Sequence, residues 1–314
     1  LLERSSLYDP ELVSALARRR FEGPPSPHPQ RGPHLSQQKG TSLEFSEHTE
    51  YNAGDDLKHL DWKVYAKTDR FYVRRFEDER LARVMIVVDA SGSMGYGGEG
   101  AGAGAAAGVG TGAGESGGLV GTKYQLAAQV AVALAACLLR QGDAVGISIA
   151  AEEPLHVMPR PGTAQLEAIL ETLGRRVPAG RAGLGTLCES LAAKLGRNTV
   201  VIAISDFLDE EDEGLESFNL LRARGVLPSL VHLLHHDEVD LPFEQTLRFL
   251  ALESEASITL DPEAVRHAYQ EEMRWFVEGL KGRAAELGMP YALVRDTAEA
   301  AKKLAAVMPR LRGG

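Results

Sequence analysis

The sequence predicts an α/β protein: a doubly wound, mostly parallel sheet with helices on both faces, preceded by a smaller N-terminal β-containing layer. Three observations carry this expectation. From residue 84 onward, short apolar runs alternate with longer helical patterns. Each run is apolar at successive positions, as strands covered on both faces require. The chain is 44% apolar but only 6% aromatic, the Ala, Leu and Val-rich mix of such cores.

The first element is a helix in "YDPELVSALARRR" (8–20), with Asp9 as N-cap and Pro10 at the first helical position. "GPPSPHPQRGP" (23–33) breaks it, so 1–33 reads as a helix and a Pro-rich linker. Residues 34–82 turn aromatic and charged, with strand-like "SLEFSE" and "RFYVRRFE" around a turn-rich centre, and read as a small β-containing subdomain. The main domain spans 83–314. Its strands are expected at 84–89, 144–150, 199–205, 226–234 and 291–294, and its helices at 123–141, 163–173, 187–196, 213–224, 262–287 and 297–308. Ligands of such a sheet bind at the carboxyl ends of its strands.

Between Gly95 and Gly121 the chain is almost wholly Gly, Ala and small polar residues, which reads as a loop with nothing to bury. It holds two formal phosphate-binding patterns, neither taken as a site. "GAGESG" (112–117) follows no strand, and "GGLVGTK" (117–123) has GTK where a phosphate loop needs GK and then Ser or Thr.

The formal charge of −10 is spread among basic residues and argues against nucleic acid or an anionic membrane as the main partner. Cys137 and Cys188 lie in apolar helical patterns without a CxxC spacing, so both read as core residues in a reducing compartment. Glu3 and Arg4 have no apolar region behind them, which gives no signal-peptide pattern. The apolar stretch 126–139 is too short to span a bilayer and is interrupted by Gln129. A cytoplasmic protein without an integral membrane segment is expected.

The chemistry is expected where the strand "VMIVVD" runs into "ASGS". Asp89, Ser91 and Ser93 alternate there, so a carboxylate and two hydroxyls can converge on one point. Hard oxygens in that number suit Mg²⁺, which keeps several waters and needs only a few anchors; Mn²⁺ is compatible with the same set. Thr186, where a helix begins, and Asp206, directly after the 199–205 strand, can complete the set. Their plain alternatives are a helix N-cap for Thr186 and a turn aspartate for Asp206.

Asp-x-Ser-x-Ser, then Thr, then Asp resembles the metal-ion-dependent adhesion site (MIDAS) of von Willebrand factor A domains. A second block, "LEFSEHTEYNAGDDLKHLDWKVYAKTDRFYVRRFEDE" (43–79), resembles the signature of a bacterial family known as domain of unknown function fifty-eight, which joins such a block to a von Willebrand A-like domain. Thr49, Lys58 and Lys67 stand where that pattern has arginines. The resemblance implies a von Willebrand factor A-like fold, a metal held by Asp89, Ser91, Ser93, Thr186 and Asp206, and a protein partner such as a MoxR-type AAA+ ATPase or its client. From the residues alone, Trp62, Tyr65, Phe71 and Phe76 can pack a small layer. Asp56 and Asp61 can cap short helical turns, and Asp55, Asp56 and Asp61 retain a binding role as the alternative.

A non-enzymatic, metal-dependent adaptor or co-chaperone is therefore expected. The enzymatic alternative is a Mg²⁺-dependent phosphohydrolase with Asp89 as nucleophile, but the general acid such enzymes carry two residues on is here Ser91. A serine hydrolase is expected less still, because no nucleophile elbow stands at the end of a predicted strand. A metal-free scaffold is the third reading. His232, His235 and His236 beside Asp237 and Glu238 read as a strand end and a solvated loop rather than a zinc site.

Overall fold

Two short helices, α1 (Arg4–Leu7) and α2 (Pro10–Ala17), begin the described chain in the computed structural model. It describes residues 2–18, 44–50, 61–68, 70–77, 82–97, 121–181, 183–208, 213–250, 252 and 257–307. The tract between 98 and 120 and the "GDD" turn at 54–56 lie outside the described residues. As the sequence requires, the Asp9 carboxylate accepts from the Glu11 and Leu12 amides at 2.9 Å, and Pro10 sits where no amide is needed. Leu7, Leu12, Val13 and Leu16 are buried.

The chain divides into two units, one of residues 25–81 and one that unites 1–24 with 82–314. In the smaller, β1 (Glu44–Glu50) pairs antiparallel with β2 (Tyr72–Glu77), and α3 (Trp62–Thr68) lies between them in sequence. Asp61 caps α3 by accepting from the Val64 amide at 3.3 Å. Tyr65 stacks on Phe71 with centroids 4.4 Å apart, but Trp62, expected in the packed layer, is 63% exposed.

The larger unit continues through β3 (Arg83–Asp89), α4 (Lys123–Arg140), β4 (Ala144–Ala150), β5 (Leu155–Arg160), α5 (Thr163–Gly174), α6 (Leu184–Lys194), β6 (Thr199–Ser205), α7 (Glu213–Ala223), β7 (Leu227–Leu233) and α8 (His236–Asp240). A hairpin, β8 (Leu247–Leu250) and β9 (Ser257–Leu260), leads to α9 (Pro262–Glu286), β10 (Tyr291–Val294) and α10 (Thr297–Lys303). Six of these strands form one sheet in the order β5-β4-β3-β6-β7-β10, parallel except for the edge strand β5. This is the doubly wound, von Willebrand factor A-like α/β arrangement, and strand order reverses between β3 and β6.

Alternation along β3 builds both halves of the core. Val84, Ile86 and Val88 pack with α2, α4 and α5, while Met85 and Val87 pack on the other face with α6 and α7. β4 and β6 are buried along their whole length, which explains why they are apolar at successive positions.

Four features depart from the sequence expectation. β5 went unpredicted because "LHVMPR" contains a proline and lacks a continuous apolar run; an antiparallel edge tolerates both. The β8–β9 hairpin also went unpredicted. Helix α6 starts at Leu184 rather than 187, with Gly183 at φ 59° as its N-cap, so Thr186 is not the cap. The segment after His235 is a helix, α8, rather than a loop: its ring accepts from the Asp237 amide, and Glu238 reaches back to the His235 amide at 2.8 Å.

Gly146 sits where the β4–β5 register shifts. A Cβ there would lie 2.5 Å from the Val157 carbonyl oxygen and 2.6 Å from the Pro159 nitrogen, both backbone atoms that cannot swing aside. Gly146→Ala is expected to lower stability by about 1–3 kcal/mol, seen as a lower urea midpoint at unchanged slope.

Candidate functional site

Because β3 and β6 are parallel neighbours with Val88 opposite Ile204, they end side by side at the point where strand order reverses. Asp89 ends one strand, and Ser205 with Asp206 ends the other. All three are buried. One Asp89 oxygen accepts from the Ser91 amide at 2.7 Å, which folds the chain into a tight turn. The other accepts from the Ser205 hydroxyl, which in turn accepts from the Phe207 amide at 2.9 Å. Phe207 is held at φ 51°, a left-handed backbone that costs a non-glycine residue about 1–2 kcal/mol. Its buried ring fixes the turn.

The turn after β3 brings the Ser91 and Ser93 hydroxyls within 3.0 Å of each other. A second loop braces it: the Ala179 amide donates to Ala90 at 3.0 Å, and the Gly92 amide donates to Gly180 at 2.8 Å. That loop leads into α6, where Thr186 is the third helical residue, exposed and without a hydrogen bond to the other four. Asp89, Ser91, Ser93 and Asp206 thus meet at one strand end, with Thr186 on the adjoining helix.

Two buried carboxylates so placed oppose each other. Burial first, and then the charge of Asp206, push the Asp89 carboxyl up to about 7 despite its hydrogen bonds. The structure answers with a cation that sequence reasoning passed over. Lys123, the first residue of α4, is buried, and its ammonium lies 2.7 Å from Asp206 and 2.5 Å from Glu238 of α8. Burial works against that charge, but the two carboxylates outweigh it and hold the ammonium above its ordinary value.

In the sequence Lys123 ends the false phosphate pattern 117–123. Its signal was of another kind: it is the sole charged residue from 123 to 139, in a segment apolar enough to be buried. The ends of the glycine tract also meet at the site. Gly97 and Thr122 form a β-bridge, and the Lys123 amide donates to Tyr96 at 2.9 Å.

His232, read as a strand residue, is fully buried in β7 among Phe207, Phe276 and Tyr291. One ring nitrogen bonds the Tyr291 hydroxyl at 2.7 Å, and the other makes no hydrogen bond of ordinary geometry. Burial drops its pKa to about 4, so it is neutral. Among the described residues no three His, Cys, Asp or Glu side chains gather around a metal position. The expected set contains only two carboxylates, its other members being hydroxyls.

Residues 47–107 and 110–275 match the family described as "Protein of unknown function DUF58". The chain belongs to that family. A relative of this DUF58 chain, Uncharacterized protein Rv1480 of Mycobacterium tuberculosis, is 27% identical over 215 residues, 65% of this chain and 60% of that protein. The chain thus spans about 60% of the length of the curated relatives it matches.

Similar solved structures include a von Willebrand factor type A from Catenulispora acidiphila, with TM-score 0.38, 13% identity and coverage of 72% of this chain and 41% of that one. Another is proximal thread matrix protein 1 from the mussel byssus with a zinc-occupied MIDAS motif, with TM-score 0.40, 13% identity and coverage of 73% and 47%. The DUF58 fold described above rests on its own strand order.

Two expectations follow from the charges. Lys123→Met leaves Asp206 and Glu238 buried without their cation and should cost about 3–5 kcal/mol at neutral pH, measured by urea unfolding; Arg4→Ala, at an exposed ion pair, serves as the near-silent control. The raised Asp89 pKa means the native state keeps a proton that the unfolded chain has released. Its stabilising share is complete below about 3.8 and is lost as pH rises through about 7. In EDTA the urea midpoint should therefore fall between pH 5 and 8, with a shallower fall in Asp89→Asn.

Proposed function

We propose that this DUF58 chain is a non-enzymatic, metal-dependent protein interaction module. In this reading Asp89, Ser91, Ser93, Thr186 and Asp206 hold a magnesium ion, or manganese in its place, and a partner protein supplies a further carboxylate. The observation that carries the reading is the buried opposition of Asp89 and Asp206 beside two hydroxyls that touch. The donor set fits a small hard cation: oxygens only, too few to complete an octahedron, so that positions remain for water and for a partner's ligand. Charge supports it too. Asp89, Asp206 and Glu238 share one ammonium, and when all three are ionised the cluster lacks two positive charges. A divalent ion supplies that deficit.

The exposed position of Thr186 on the first turn of α6, beside the loop that braces the serines, supports its place in the set. The family resemblance points to a MoxR-type AAA+ ATPase as the partner to test first, in an adaptor or co-chaperone role in the cytoplasm. No helix among the described residues is long and apolar enough to cross a membrane. A phosphohydrolase has less support, because both oxygens of Asp89 accept hydrogen bonds and position 91 offers a hydroxyl instead of an acid.

The test is calorimetric titration with Mn²⁺ and Mg²⁺, followed by capture of the ATPase with and without EDTA. One metal ion per chain is expected, lost in Asp89→Ala and Asp206→Ala, together with capture that EDTA abolishes. Saturation at a hundred times the dissociation constant should add about 2.7 kcal/mol of stability. Capture that persists unchanged in EDTA and in Asp89→Ala would overturn the reading.

A further inference from the structure

Glu238 also lines a partly open cavity of about 140 Å³. Its walls include Tyr96, Asp237, Phe243, Phe249 and Tyr269, closed by leucines. Cavities of about this size hold a benzene-sized group. The aromatic rings come from four separate stretches: the turn after the serines, the loop after α8, the hairpin and α9. Phe243 and Phe249 meet edge to face at 6.1 Å, and the Tyr269 hydroxyl is anchored on the Glu238 backbone oxygen at 2.7 Å. The walls are therefore built and held.

The charge of this cavity is one-sided. Glu238 is committed, one oxygen to Lys123 and the other to the His235 amide. Asp237 is not. Its carboxylate has only the Tyr96 hydroxyl and a His235 ring nitrogen, each at 3.4 Å. That same nitrogen accepts from the Asp237 amide in the cap of α8. Among the described residues no Lys or Arg pairs with Asp237. Arg266, on the packed face of α9, spends its guanidinium on the Leu241 and Phe243 carbonyls at 3.1 and 2.8 Å. The Tyr269 hydroxyl is pushed up to about 12, by burial first and then by Glu238.

We propose that this cavity binds an organic cation, a guanidinium or alkylammonium on a short apolar stem, with the stem against the aromatic and leucine walls and the charge on Asp237. A partly buried carboxylate without a Lys or Arg partner among the described residues, beside aromatic rings, favours a positive guest and disfavours a neutral or negative one of equal shape. The site goes beyond the metal reading and needs no metal.

The experiment is a titration of the full chain in EDTA with n-butylguanidinium, followed by amide NMR, with n-butylurea and valerate as neutral and anionic counterparts. Shifts confined to the segments around Tyr96, Asp237, Phe249 and Tyr269 are expected, with a dissociation constant of about 1 mM for a guest this small. Asp237→Asn should weaken binding about tenfold, while Tyr269→Phe, which keeps the ring, should bind almost as the parent does. Equal binding of the urea, or undiminished binding by a folded Asp237→Asn, would overturn the proposal; so would absence of localised shifts in both parent and Tyr269→Phe. N-acetyl-arginine methylamide separates the sources: its entry assigns the cation to a partner's side chain, and entry of free n-butylguanidinium alone assigns it to a small soluble cation. Because all arms run in EDTA, the result is independent of whether a metal occupies the strand end.

Discussion

Two carboxylates buried at the ends of adjacent parallel strands constrain everything around them. Parallel strands in register must end together, and β3 and β6 end in Asp89 and in Ser205–Asp206. The order of the strands reverses there, and both carboxylates are removed from bulk water. The surrounding chemistry offsets that placement. A serine hydroxyl and an amide donate to Asp89, a lysine neutralises Asp206, and a left-handed turn at Phe207 holds the second strand's exit in position.

Lys123 bears directly on the proposed metal site. Its ammonium lies on Asp206 and Glu238 and makes the cluster partly neutral; in the proposed reading a divalent ion would draw on the same Asp206 carboxylate and so compete with this internal cation. Lys123 also stands where the chain returns from residues 98–120, whose ends are bridged at Gly97 and Thr122.

Most of the sheet was legible in the sequence because buried parallel strands must be apolar at successive positions, and β3, β4, β6, β7 and β10 all carry that mark. The exceptions share a physical reason. β5 lies at an antiparallel edge, and β8–β9 forms a short hairpin, so neither needs a continuous apolar run. At the site, the spacing Asp89, Ser91 and Ser93 announced itself because turn geometry is local. Asp206 was found because it follows a legible strand. Lys123 and Glu238 were not found, since a lysine in an alanine-rich helix and a glutamate in a histidine-rich segment acquire meaning only when β6 and β7 bring them together. His235, read as part of a solvated loop rather than a zinc site, instead caps α8 with its ring.

The most direct measurement is a crystal soaked in Mn²⁺ and recorded at a wavelength where manganese scatters anomalously. The account predicts one peak between Ser91, Ser93, Thr186 and the Asp89 and Asp206 carboxylates, with the Lys123 ammonium shifted toward Glu238. An empty strand end at millimolar manganese, with Lys123 still on Asp206, would contradict it.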